Sequence, residues 1–188
     1  MHRYGAIKLD VIVLIYIPLV LFAPCFTYYM AVIKEKQCKP FPHSTITQTA
    51  NRYPQNIVFR LIMGVATSLF VLIFDMIYRW IDHQAERSGF KKMDKMYYYL
   101  MLFANLCYCT AVLTIDGLGN GPLHTPSAVF FFIILEVFIV YATFFMIRLR
   151  KWDTSVMSKR SLNIKIVLAI YITAVWIYCL YGNFASNE

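Results

Sequence analysis

Apolar residues fall along this chain in five long runs, at about 9–33, 56–80, 96–115, 127–147 and 164–181, separated by short polar or basic segments. Runs of about 20 residues with this apolarity have the length of a helix crossing a bilayer. The fourth, Ser127 to Ile147, reads SAVFFFIILEVFIVYATFFMI and holds one carboxylate, Glu136, near its centre. The pattern predicts an all-α, polytopic transmembrane bundle of five helices in a single domain over 1–188. Pro18 and Pro24 mark kink points in the first helix. That run is too long for a signal-peptide core and no small-residue cleavage site follows it, so it reads as a retained anchor.

Composition sharpens this picture. The chain is 60% hydrophobic and 15% charged, where an ordinary soluble domain carries about 25% charged residues. Its net charge of +8 would suit nucleic acid, but the basic residues flank the apolar runs, as topology signals do. Nucleic-acid binding is therefore set aside. One side of the membrane would hold thirteen of them: Arg3, Lys8, Arg79, Arg87, Lys91, Lys92, Lys95, Arg148, Arg150, Lys151, Lys159, Arg160 and Lys165. The other side would hold four: Lys34, Lys36, Lys39 and Arg52. The imbalance predicts a cytosolic N-terminus and a lumenal C-terminus. Loops 34–55 and 116–126 are then lumenal, and neither has an Asn-x-Ser/Thr acceptor. The basic cytosolic segments would also touch anionic lipid.

Of five cysteines, only Cys38 lies outside an apolar run, so no dense disulfide framework is expected. Cys107 and Cys109 sit about 200° apart around a helix and cannot share a metal. Cys179 falls near the same membrane face as Cys38, which leaves a disulfide between them open. No metal and no cofactor is called for.

Polar chemistry concentrates in a few places. On the second helix Arg60, Gly64, Thr67, Ser68, Val71 and Asp75 fall within about 100° of one another. Gly64 and Ser68 form a small-x-x-x-small pair that would let another helix approach, and Arg79 can pair with Asp75 at i+4. The stripe is either the packed side of the helix or the wall of a groove in which Arg60 meets a lipid phosphate. Glu136 costs about 2.5 to 3.5 kcal/mol to insert unless it faces protein or water. It is either a hydrogen-bonded structural group, with Asn105 as a partner of similar depth, or a contact for a headgroup or proton path. His43 and His124 lie in the two lumenal loops and could serve as general bases. The chain has no H-E-x-x-H, no G-x-S-x-G and no acidic phosphatase-like cluster.

Two stretches carry a family resemblance. From Pro40 to Met63 the chain reads PFPHSTITQTANRYPQNIVFRLIM, a polar loop ending in Tyr53-Pro54-Gln55 and a helix opening with Val58-x-Arg60. From Asn105 to Trp152, a helix beginning Asn105-Leu106 leads through a loop with His124 to Phe130-Phe131-Phe132. Both resemble the FRAG/DRAM/SFK family, and most closely its post-GPI-attachment branch, which remodels GPI-anchor lipids. The resemblance makes Tyr53, Pro54, Arg60, Asn105 and His124 family-like positions, and implies an endomembrane protein tied to lipid anchors or phospholipid distribution. Members usually have six membrane helices, and the sixth is not visible here.

The resulting expectation is a non-catalytic protein of the endoplasmic reticulum or Golgi, with lysosome or plasma membrane as alternatives. It would handle lipid or GPI-anchor headgroups through Arg60, Gly64, Ser68, Asp75, Asn105 and Glu136. The alternatives are an accessory subunit that partners other membrane proteins, and a lumenal lipid hydrolase or acyl-remodelling enzyme using His43 or His124.

Overall fold

In a computed structural model of the chain, residues 3–4, 7–40, 46–116, 119–120 and 122–185 are described. A two-residue pairing, β1 (Arg3–Tyr4) with β2 (Ile7–Lys8), precedes α1 (Leu9–Tyr28), which runs on as a π-helical turn over Tyr29–Lys34. A single turn, α2 (Ile46–Thr49), leads to α3 (Gln55–Arg87) and α4 (Lys95–Leu113). A second pairing, β3 (Ile115–Asp116) with β4 (Gly119–Asn120), joins α4 to α5 (His124–Trp152), and α6 (Lys159–Ala185) closes the order. The architecture is an α-helical membrane bundle. Four of its helices, 9–34, 55–87, 95–113 and 124–152, are long and apolar enough to cross a bilayer.

The apolar runs place these helices, but the helices outrun them. α3 continues to Arg87 and α5 to Trp152, past the runs' ends at 80 and 147, because a helix needs a stop signal as well as a loss of apolarity. For α3 the stop is Gly89, at φ 65°. The amides of Gly89 and Phe90 bond back to Glu86 and Ala85 at 3.1 and 2.8 Å, a left-handed glycine stop that satisfies the last carbonyls. Asp94 then caps α4, accepting from the Met96 amide at 2.9 Å, a cap worth about 1 kcal/mol. Pro18 and Pro24 both lie inside α1, and the Tyr53–Pro54 peptide is cis.

Successive long helices pack side by side: α1 on α3, α3 on α4, α4 most extensively on α5, and α5 on α6. Lipid tails are as apolar as leucine, so close packing rather than escape from water holds helices together in a bilayer. The fit here is largely aromatic. Tyr97 on α4 stacks on Tyr141 of α5 at 3.5 Å between centroids, and Tyr108 on Phe131 at 4.5 Å. Those two pairs set the antiparallel register of α4 and α5. Phe74 of α3 meets Phe138 edge-on at 5.0 Å, a geometry worth about 0.5–1.5 kcal/mol beyond contact area. α6 lays Leu162, Ile166, Ala169 and Thr173 toward α5, spaced by four, three and four, and leaves Val167 and Ile170 outward at 64% exposure each.

Two ends of the bundle follow. The basic end holds the α3–α4 turn and the α5–α6 turn. The loop end holds the π-helical turn, α2, the start of α3 and the α4–α5 connection.

Candidate functional site

At the loop end the helices do not close on one another. α1, α3, α4 and α5 enclose a cavity of about 650 Å³. Tyr16, Val20 and Pro24 contribute from α1, and Phe59, Met63 and Phe70 from α3. Tyr108, Ala111 and Val112 come from α4, while α5 supplies His124, Ala128, Phe131, Phe132 and Leu135. His124 to Leu135 is eleven residues along α5, so the cavity reaches about 16 Å into the bundle at 1.5 Å per residue. Phe132, 46% exposed, stands at its rim.

The geometry follows from side-chain size and helix ends. Ala111 and Ala128 line the cavity where larger residues would fill the space, while Phe70, Tyr108 and Phe131 make one aromatic wall with centroids 4.5–6.1 Å apart. The walls are apolar apart from three groups. The Tyr16 and Tyr108 hydroxyls, both on the lining, lie within hydrogen-bonding reach of each other. His124, 6% exposed, is the first residue of α5 and places its Nδ1 2.7 Å from the carbonyl oxygen of Ala111. That carbonyl belongs to the last turn of α4, whose carbonyls have no helical partner, so the ring ties two helix ends together.

The residues expected to form a site are scattered rather than gathered. His124 lines the cavity; Arg60, Gly64, Ser68, Asp75, Asn105 and Glu136 do not. Thr67 is buried and bonds the Gly64 carbonyl at 2.8 Å, and Ser68 is exposed. A Cβ added to Gly64 would meet nothing within 4 Å, so the small-x-x-x-small pair receives no helix of the described chain. Arg60 is half-buried, and its Nε has no partner. Asp75, 5% exposed, accepts from Arg79 Nε at 2.8 Å and from the Tyr98 hydroxyl at 3.1 Å. The stripe is therefore split. Its lower part is packed and its upper part lies open.

Glu136 differs from expectation too. Asn105 does not hold it. Glu136 points about 140° away from the α5 face that packs on α4 and accepts from the Thr173 hydroxyl of α6. Asn105 instead lies 3.8 Å from the Cys109 sulfur. One carboxylate oxygen of Glu136 and the amide oxygen of Asn105 are buried without partners. Depth along the run was legible; the angular assignment needed to know which helix lay on which side. Tyr53 is exposed and Pro54 caps α3. Cys38 is a free thiol 3.7 Å from the Gln48 carbonyl; His43 and the side chain of Cys179 lie outside the described residues.

The tyrosine pair was missed by sequence reasoning. Its signal was available: Tyr16 and Tyr108 are hydroxyls deep inside apolar runs, where each needs a partner.

Comparisons with known proteins complete the site's context. No curated protein and no solved structure matches the chain. The family model of the Frag1/DRAM/Sfk1/Cwh43P N-terminal domain matches residues 9–188, and the chain, a multi-pass membrane protein, belongs to that family.

Proposed function

We propose that this protein handles membrane lipids by holding a lipid hydrocarbon chain in the cavity between α1, α3, α4 and α5. The carrying observation is the cavity itself: about 650 Å³, apolar, aromatic-walled and open at its rim. Ligand sites span about 300–1,000 Å³ and are lined by apolar side chains with few polar groups. A methylene takes roughly the volume share of a water molecule, about 30 Å³. The space thus suits on the order of twenty chain atoms.

A headgroup would lie at the loop end, where Arg60 offers a guanidinium for phosphate. The resemblance of Pro40–Met63 to the GPI-remodelling branch extends the reading to GPI-anchor lipids. The basic residues at the opposite end favour a cytosolic N-terminus with the loop end lumenal, in the endoplasmic reticulum or Golgi. No catalysis is assigned to the cavity, whose lining offers His124 no carboxylate, thiol or aliphatic hydroxyl to work with. The test is native mass spectrometry of the purified chain. Lipid should be retained, and Ala128→Trp, which fills the cavity, should remove it. Retention unchanged in that variant overturns the reading.

A second reading, an accessory subunit of a membrane complex, is favoured by the open face at Gly64 and Ser68. A partner helix seated there would be displaced by Gly64→Leu and lost from mild-detergent preparations. Unchanged co-purification in that variant removes this reading.

A further inference from the structure

His124 fixes what a ligand at the loop end of the cavity must carry. A carbonyl oxygen only accepts, so at 2.7 Å the Nδ1 of His124 must be the donor to Ala111. In the neutral ring the other nitrogen, Nε2, is then an acceptor. The ring lines the cavity and has no second protein partner among the described residues. The Tyr16 and Tyr108 hydroxyls bond to each other, which uses one of their two O–H groups. A ligand that fills the cavity therefore meets apolar walls, the tyrosine pair and, at the loop end, the His124 Nε2 acceptor.

Taking the cavity as a lipid-chain site, we infer that it selects a hydrocarbon whose polar end is a hydroxyl donor, seated with its O–H on His124 Nε2. An ester or ether oxygen at that point would face a lone pair with a lone pair. A hydroxyl supplies the missing hydrogen. Because a made hydrogen bond contributes about 1 kcal/mol net, the preference should be about fivefold to tenfold. A flexible long-chain alcohol and a rigid sterol share this chemistry; the first matches the cavity's volume, and the larger sterol would extend through its open rim.

The experiment uses the full chain in detergent micelles and native mass spectrometry with matched pairs. One pair is oleyl alcohol and oleyl methyl ether; the other is cholesterol and its methyl ether. At least one alcohol should bind about fivefold to tenfold more tightly than its ether, and the pair that does so identifies the flexible or the rigid source. His124→Phe, which keeps a ring but removes both nitrogens, should abolish the preference. Equal binding of alcohol and ether in both pairs overturns the inference and leaves the cavity reading standing. A preference that survives in His124→Phe also overturns it, since the donor is then read elsewhere. Binding of none of the four overturns the cavity reading and this inference with it.

Discussion

The two ends of the bundle treat their polar groups differently. At the basic end they are clasped. The Trp152 indole donates to the Ser88 carbonyl at 2.8 Å, the Ser88 hydroxyl to Asp153 at 2.7 Å, and the Met93 amide to Asp82 at 3.2 Å. Arg150 reaches the Met157 carbonyl at 3.1 Å, and Asp75 serves both Arg79 and Tyr98. At the loop end clasps exist, among them Gln55 to Glu35 at 2.8 Å and Thr27 with Thr49 at 3.2 Å. Yet Asn51, Gln55, Asn56 and Arg60 each keep a buried polar atom without a partner. Among the described residues no such atom lies at the basic end. Buried polar groups in proteins are nearly always satisfied. Four of the unmet atoms fall at the loop end, the end that also holds the cavity, and two more, on Asn105 and Glu136, lie deeper in the bundle.

That contrast can be broken by substitution. The largest effect belongs to the cavity: Ala128→Trp should reduce retained lipid at least about tenfold, a change of roughly 1.4 kcal/mol, with helical content by circular dichroism unchanged. Next is the frame. Asp75→Ala removes the buried acceptor that Arg79 and Tyr98 share and should lower stability by about 1–3 kcal/mol, read as a falling thermal midpoint in detergent. If Asp75→Ala proves silent, the basic end is not the rigid half. Gly64→Leu should leave thermal stability within about 0.5 kcal/mol, as surface changes do, because the added side chain enters open space. A large loss would show that this face is covered. At the loop end Asn56→Ala should likewise stay within about 0.5 kcal/mol, since it removes an acceptor that nothing satisfies.

The smallest effect is a pH dependence at Asp153. Hydrogen bonds from the Ser155 hydroxyl, the Ser88 hydroxyl and the Ser155 amide hold its carboxyl below the usual range, with Arg87 adding to them. A group depressed on folding stabilises above its unfolded value, about 3.9, and that contribution fades as pH falls through the lower folded value. Acid titration of thermal stability should therefore show a small loss below about pH 4 that Ser88→Ala reduces. An unchanged acid limb in Ser88→Ala would mean the clasp does not hold the carboxylate.

Much of the bundle was legible because a bilayer imposes length. Spanning helices need about twenty apolar residues, and each run announces itself without reference to any other. Helix ends were less so. Gly89 and Asp94 carry stop and cap signals, whereas α5 begins at His124, inside what reads as a loop of turn formers. The Asp75–Arg79 pair was readable because i+4 spacing makes it local.

By itself the sequence determined the class of the molecule, its helices in order, the asymmetry of its charge and the presence of polar groups at depth. Hydropathy and helical periodicity are properties of one segment at a time, so no tertiary knowledge is needed to read them. Only the tertiary structure decided which way those groups face. It turned Glu136 to Thr173, left Gly64 uncovered, paired Tyr16 with Tyr108 and set His124 on the Ala111 carbonyl. Each of these depends on which helices are neighbours and at what register, set here by stacked aromatic pairs such as Tyr97–Tyr141 and Tyr108–Phe131. The cavity is the clearest case. It is the space four helices fail to fill, and no single run of residues can state it.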